Sequence, residues 1–217
     1  MEKIIIIGGK GAAVNLGDHI IHAINHYSAK LELIGYCIDD EKLGTEINGI
    51  PILCKLKELT NKYNKLSDVK YFFALYKPIC MEERVKLFDS LNLPMEKFTN
   101  FIHPSAYIAP SSQIGLGNVF CANVVVNNNT VIGNFNTFNG NCLFGHDSQI
   151  GNHNILAASS VVSSEVKIGN GNFIGINSAI RDRTQIGNYN IIGMSSTVLH
   201  DVGSYKTLVG SPAKIIE

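Results

Sequence analysis

The chain has 217 residues, with 18 Lys and Arg against 18 Asp and Glu and a formal charge of +0. A pI near 7.0 and 8 % aromatic residues argue against a nucleic-acid partner, which needs a basic footprint or a base-stacking surface. The apolar run at Met1–Gly8 is too short for a signal peptide or a membrane span. Five cysteines with no C-x-x-C spacing read as reduced thiols, so a cytoplasmic protein without membrane insertion is expected.

Ile4–Ile7 is a β-branched run ending at Gly8-Gly9-Lys10-Gly11, which fits a buried parallel strand and a tight turn. Leu16, Ile20, Ala23, Ile24 and Tyr27 then recur at helical spacing, predicting a helix over 12–27. A second strand is expected over 31–38, closing on Asp39-Asp40, and a short extended piece at 50–53. A helix over 55–64, a strand over 69–75 and a helix over 79–91 follow. Strand–helix alternation at this spacing predicts a small parallel sheet covered by helices, a Rossmann-like α/β domain over 1–101.

In such a sheet ligands lie at the carboxyl ends of the strands. The Gly8-Gly9-Lys10-Gly11 loop opens a helix, so its backbone N–H groups can receive phosphate. It lacks the full G-x-G-x-x-G, and a plain tight connection is the alternative. Lys10 can neutralise a phosphate as a point cation. Asp39 and Asp40 stand where an acid accepts hydrogen bonds from a ribose or a base. A solvated loop pair is the bland reading.

From Ile102 to Val198 every sixth residue is apolar, without a slip. Over it runs Ile-Gly-x-x-Asn, from Ile114 to Asn190 in steps of 18 residues. No amphipathic helix or alternating strand has such a period. The pattern predicts a triangular prism over 102–203, three sixes to a coil, with the apolar residue pointing inward. Gly in second place is expected at a corner of unusual φ/ψ, and the Asn column in a stacked ladder. His103 reads as structural. Residues 204–217 are placed to cap the open end.

Most outward positions of the prism are small and polar. Against them stands His146-Asp147, since an acid beside an imidazole fixes its tautomer and makes a general base. His200-Asp201 is a second such pair, in the same column and three coils away, about 14 Å along the prism. An exposed histidine beside a turn aspartate is the alternative for either.

Taken together, these motifs, with Asn48-Gly49-Ile50-Pro51, Ile102-His103-Pro104-Ser105-Ala106 and Val209-Gly210-Ser211-Pro212-Ala213-Lys214, give the chain a family likeness. It resembles the hexapeptide-repeat nucleotide-sugar N-acetyltransferases, in the branch of sialic acid O-acetyltransferase-like proteins. The resemblance implies a left-handed parallel β-helix and a homotrimer with acetyl-CoA between neighbouring prisms. It also implies a nucleotide-linked amino sugar, UDP or dTDP with a 4-amino group, on the N-terminal domain. His146 matches the catalytic histidine of the family, Asp147 the acid beside it, and Ser164 the position whose backbone N–H faces the thioester oxygen. The chain departs from the family pattern at Lys10 and Ser164, where glycine is usual, at Ala12, where a larger residue is usual, and at Ile155, where a second histidine is usual. An O-acetyltransferase, a γ-carbonic-anhydrase-like metalloenzyme and a non-catalytic sugar-nucleotide binder are the competing readings. No metal is expected in the leading one.

Overall fold

The computed structural model describes residues 1–216. They divide into two compact units, Met1–Lys77 with Glu83–Asn100, and Phe101 onward with Pro78–Glu82.

In the first unit, β1 (Glu2–Ile7), β2 (Leu31–Cys37), β3 (Glu46–Ile47), β4 (Ile50–Cys54) and β5 (Val69–Phe73) form one sheet in the order β3-β4-β2-β1-β5. The pairs β4–β2, β2–β1 and β1–β5 are parallel. β3 and β4 form a hairpin across Asn48 and Gly49, both at positive φ, as a two-residue type I′ turn requires. The helices are α1 (Ala12–Tyr27), α2 (Leu56–Tyr63) and α3 (Met81–Ser90). α1 buries Ala13, Leu16, Gly17, Ile20 and Ala23, one stripe of a 3.6-residue period. A Cβ at Gly17 would lie 2.2 Å from the Tyr36 hydroxyl, so this glycine lets α1 pass over β2. Phe88 of α3 meets Phe73 edge-on at 5.1 Å. Because the central strands are parallel, the loops after β1, β2 and β5 share one edge of the sheet.

The second unit is built from two-residue strands in three sheets of six, five and eight strands. Up to residue 198 each strand pairs with the one 18 residues on, as Val125 with Leu143 and Val126 with Phe144, and the last parallel pair, Ile191 with Thr207, shortens the step to 16. The sixth-residue apolar column forms the core, with Phe120 and Phe138 stacked at 4.8 Å and Phe138 edge-on to Phe144 at 5.8 Å. The first rung is the exception, with Ile102 43 % exposed and Ile108 and Ile114 only partly buried, because no earlier coil stacks on it. The Asn ladder forms as expected: the Asn136, Asn154, Asn172 and Asn190 side-chain amides each donate to the Oδ1 one coil below, at 2.9–3.1 Å. A second ladder forms from Asn134, Asn152, Asn170 and Asn188, whose Oδ1 atoms accept backbone N–H groups from the coil below. At the C-terminal end Thr207–Val209 extends one sheet in parallel, and Lys214–Ile215 returns antiparallel beside it.

One expectation is corrected. Gly115, Gly133, Gly151, Gly169 and Gly187 are not at positive φ. They are glycines because the coils touch there: a Cβ at Gly133 would lie 2.6 Å from the Gly151 carbonyl oxygen and 2.5 Å from Asn152 Oδ1. The left-handed corner falls two places later, at every sixth residue from Gly117 to Ser195, with φ between 53° and 69°. Asn, Asp and Gly tolerate that conformation best, and Asp147 is one of them, at φ 56°.

Candidate functional site

On the prism, His146 and Asp147 occupy one corner, with side chains 48 % and 45 % exposed. The imidazole Nδ1 lies 2.6 Å from Asp147 Oδ2. Asp147 Oδ1 accepts a second hydrogen bond, at 3.0 Å, from the side-chain amide of Asn129 one coil below. These two bonds, the histidine first, hold the Asp147 carboxyl below the usual carboxylate range. With Asp147 ionised, Nδ1 carries the ring proton and donates it, so Nε2 keeps a lone pair directed away from the acid. The backbone is pinned as well, since Asp147 N–H donates to Asn128 O and His146 O accepts from Glu165 N–H. That arrangement can take a proton from a nucleophile brought to Nε2.

Gly145 explains how Ser164 comes to this corner. A Cβ at Gly145 would lie 2.4 Å from the Ser163 carbonyl carbon and oxygen and 2.7 Å from Ser164 N. The backbone of the next coil therefore rests directly on the residue before His146.

The other histidines behave differently. Asp201 turns its carboxylate to Gln185 N–H at 2.8 Å, and it is not at positive φ, although it holds the same place in its six as Asp147. His153 stacks on Phe135 at 5.2 Å with the rings 16° apart. His103 is buried and lies 2.8 Å from Ser105 Oγ. Among the described residues no group of three or more His, Cys, Asp or Glu side chains could hold a metal ion.

In the first unit the loop edge carries a cavity of about 380 Å³, lined by Gly9, Lys10, Ile38, Asp40, Leu43, Arg84 and the segment 74–77. Gly8, at φ 141°, lets the turn close, since a Cβ there would lie 2.9 Å from Ala13 Cβ. Gly9 leaves room for Leu43, whose Cδ1 a Cβ would meet at 2.8 Å. Gly11 is the N-cap of α1, at φ 49°. Lys10 and Asp40 form an ion pair with each other. That bond, and Lys42 N–H after it, hold the Asp40 carboxyl low.

The structure separates the two acids. Asp39 Oδ1 accepts Leu56 N–H at 2.8 Å, capping the first turn of α2, while Asp40 faces the cavity. Sequence reasoning missed Arg84. It comes from α3, and its Nε is buried with no hydrogen-bond partner among the described residues. No local pattern marks it, because α3 meets the Gly8–Gly11 loop only after folding.

Residues 165–200 match the bacterial transferase hexapeptide (six repeats) family model. No curated protein matches the chain. Among solved structures it is similar to the acetyltransferase domain of PglB from Neisseria gonorrhoeae in complex with acetyl coenzyme A, at 21 % identity and a TM-score of 0.83, covering 99 % of each chain. It is similar to PerB from Caulobacter crescentus in complex with CoA and GDP-perosamine, at 23 % identity and a TM-score of 0.79, covering 100 % of this chain and 98 % of the other. WeeI from Acinetobacter baumannii matches at 21 % identity and a TM-score of 0.77, over all of both chains. The fold is thus the hexapeptide-repeat left-handed β-helix preceded by a small α/β region.

Proposed function

We propose that this protein transfers an acetyl group from acetyl-CoA to an amino group of a nucleotide-linked amino-deoxy sugar. The observation that carries the reading is the 2.6 Å His146–Asp147 contact on the corner of a hexapeptide-repeat prism. Full-length likeness to folds that hold acetyl-CoA in one case and CoA with GDP-perosamine in another supports it. UDP and dTDP are the nucleotides implied by the sequence resemblance. GDP joins them because of the PerB complex.

The neutral amine attacks the thioester carbonyl carbon. His146 Nε2 takes the proton as the C–N bond forms, and Asp147 stabilises the imidazolium. The Ser164 backbone N–H is the donor for the oxyanion of the tetrahedral intermediate. As the intermediate collapses, the C–S bond breaks and the imidazolium returns its proton to the departing CoA sulfur. Much of the acceleration comes from holding amine and thioester together beside Nε2.

The nucleotide diphosphate lies in the cavity at Gly8, Gly9, Lys10 and Gly11, with Asp40 toward the nucleoside. Arg84, whose Nε has no hydrogen-bond partner among the described residues, serves as a cation for it beside Lys77, because Lys10 is paired with Asp40. Asp39 acts through the α2 cap that holds this loop.

A C3 homotrimer with acetyl-CoA between prisms completes the reading. One outward face of the prism carries Tyr107, Val125, Leu143, Val161, Ala179 and then Thr197, whereas another carries Gln113, Val131, Gln149, Lys167 and Gln185. A continuous apolar strip of this kind suits a neighbouring copy.

The test is release of free CoA thiol from acetyl-CoA with a panel of UDP-, dTDP- and GDP-linked amino sugars. Turnover with at least one amine, lost when its amino group is replaced by hydroxyl, is expected. Binding without turnover across the panel would overturn the reading.

A further inference from the structure

Two cysteines of the first unit take no part in the chemistry above. Cys37 ends β2 and Cys54 ends β4, and the two are partners in the parallel register of those strands. Their Sγ atoms lie 3.2 Å apart. A disulfide needs an S–S distance of about 2.03–2.05 Å and Cα atoms about 4.4–6.8 Å apart. Neighbouring strands, about 4.8 Å apart, meet the second condition. The first asks each sulfur to move by only about 0.6 Å.

The two thiols are not equivalent. Cys37 is fully buried, whereas Cys54 lines a second cavity, of about 260 Å³, beside Lys55 and Glu58. The hydrogen bond between the sulfurs, helped by Lys62, holds the Cys54 thiol below its ordinary value. The same bond and burial push Cys37 up. Cys54, which lines that cavity, is therefore the sulfur a small reagent reaches first, and Cys37 lies behind it.

We propose that Cys37 and Cys54 form an oxidisable dithiol site, which hydrogen peroxide converts into a reversible disulfide. The Cys54 thiolate attacks one peroxide oxygen, the O–O bond breaks, and the departing hydroxide takes up a proton as water. Cys54 is left as the sulfenic acid. The Cys37 sulfur then attacks the Cys54 sulfur. The S–O bond breaks, and the hydroxyl leaves with the Cys37 proton as a second water. Two thiols lose two electrons, and one peroxide gains them. A cellular dithiol reductant reverses the bond.

The bridge closes the segment 38–53, already tied at its ends by Ile38 N–H donating to Cys54 O at 3.2 Å. Asp40 and Leu43, which wall the first cavity, lie inside that segment. Oxidation thus staples one wall of the cavity. The remaining cysteines are internal controls. Cys121 and Cys142 are buried in the prism, where burial pushes Cys121 up to about 12. Cys80 is half-buried.

The experiment treats the full folded chain with hydrogen peroxide, quenches it, denatures it, counts thiols and maps the linked peptides. Loss of two of the five thiols, restored by dithiothreitol, and one linked peptide joining Cys37 to Cys54 are expected. Cys37→Ser should stop at a Cys54 sulfenic acid that dimedone traps, and Cys54→Ser should show no rapid loss. Five surviving thiols, a linked peptide between any other pair, or oxidation of Cys80 with Cys37 and Cys54 intact would overturn the proposal. Mapping of the unsubstituted protein decides it even if a serine variant does not fold. Thiol counts do not depend on acetyl transfer, so this test stands apart from the functional reading.

Discussion

Two corners of the prism carry the same dipeptide in the same column, and the acid holds its neighbouring imidazole at one and binds a backbone N–H at the other. At His146-Asp147 the acid sits in a left-handed corner and holds the imidazole at 2.6 Å. At His200-Asp201 the corner rhythm has ended, and the acid spends its carboxylate on Gln185 N–H. Backbone conformation at one residue decides whether an acid serves its neighbouring histidine or the backbone. A His-Asp pair in sequence is therefore not yet a catalytic unit.

The strongest way to break this comparison is His146→Ala. Its expected cost is about 10²–10⁴ in kcat, the usual worth of a general base, with the melting temperature held because the side chain is half exposed. Near-normal kcat would place the active site elsewhere.

Gly145→Ala comes next. Its Cβ must displace the Ser163–Ser164 backbone, so a loss of about 1–3 kcal/mol in stability is expected. A fall of about 10² in kcat should accompany it, the cost of misplacing a reacting group by about 1 Å. A glycine change near the other corner, Gly203→Ala, meets no atom within 4 Å and should leave both measurements alone. Equal effects at the two glycines would remove the reason given for Gly145.

Asp147→Asn should lower kcat by roughly tenfold, since a charge-assisted hydrogen bond orients and polarises the ring. The depressed Asp147 carboxyl also fixes the sign of a pH effect. Its contribution is present above the ordinary carboxylate range and is lost as pH falls through the lower folded value. Acid titration of the folded protein by carboxyl NMR checks this, and a carboxyl titrating at or above the ordinary value would contradict it.

Arg84→Ala moves the comparison to the first unit. KM for the nucleotide sugar should rise about tenfold, the lower end of what one hydrogen bond to a charged group is worth, with acetyl-CoA binding and kcat held. A loss confined to kcat would mean that Arg84 does not bind the nucleotide. The smallest effect is expected for His200→Ala, within about twofold of the parent, as for a surface change with no special partner. A larger loss there would show that the two corners are less different than their geometry.

The two units were not equally legible. In the prism a strict repeat states its own fold, because every coil uses the same inward column and the same stacking contact. Period six, the Asn ladder and the outward place of His146 could be read from residue order alone. The reason for the glycine column could not. A corner glycine and a glycine crowded by the next coil look alike in sequence, and only the 2.6 Å approach of the Gly151 carbonyl to a Cβ at Gly133 separates them. In the first unit the strand–helix order and the Gly8–Gly11 turn were readable from apolar runs and turn residues.

Sequence by itself determined the architecture, because hydrophobic periodicity and turn chemistry act over a few neighbouring residues and repeat. Tertiary structure alone decided the assignments among equivalent residues. It separated Asp147 from Asp201 and Asp40 from Asp39, brought Arg84 to the cavity, and set Cys37 beside Cys54. Each of these depends on which distant backbone N–H, amide, strand or loop arrives to meet a side chain. Hydrogen bonds and close approaches act over about 3 Å, so they are fixed only when chain segments far apart in sequence are brought together.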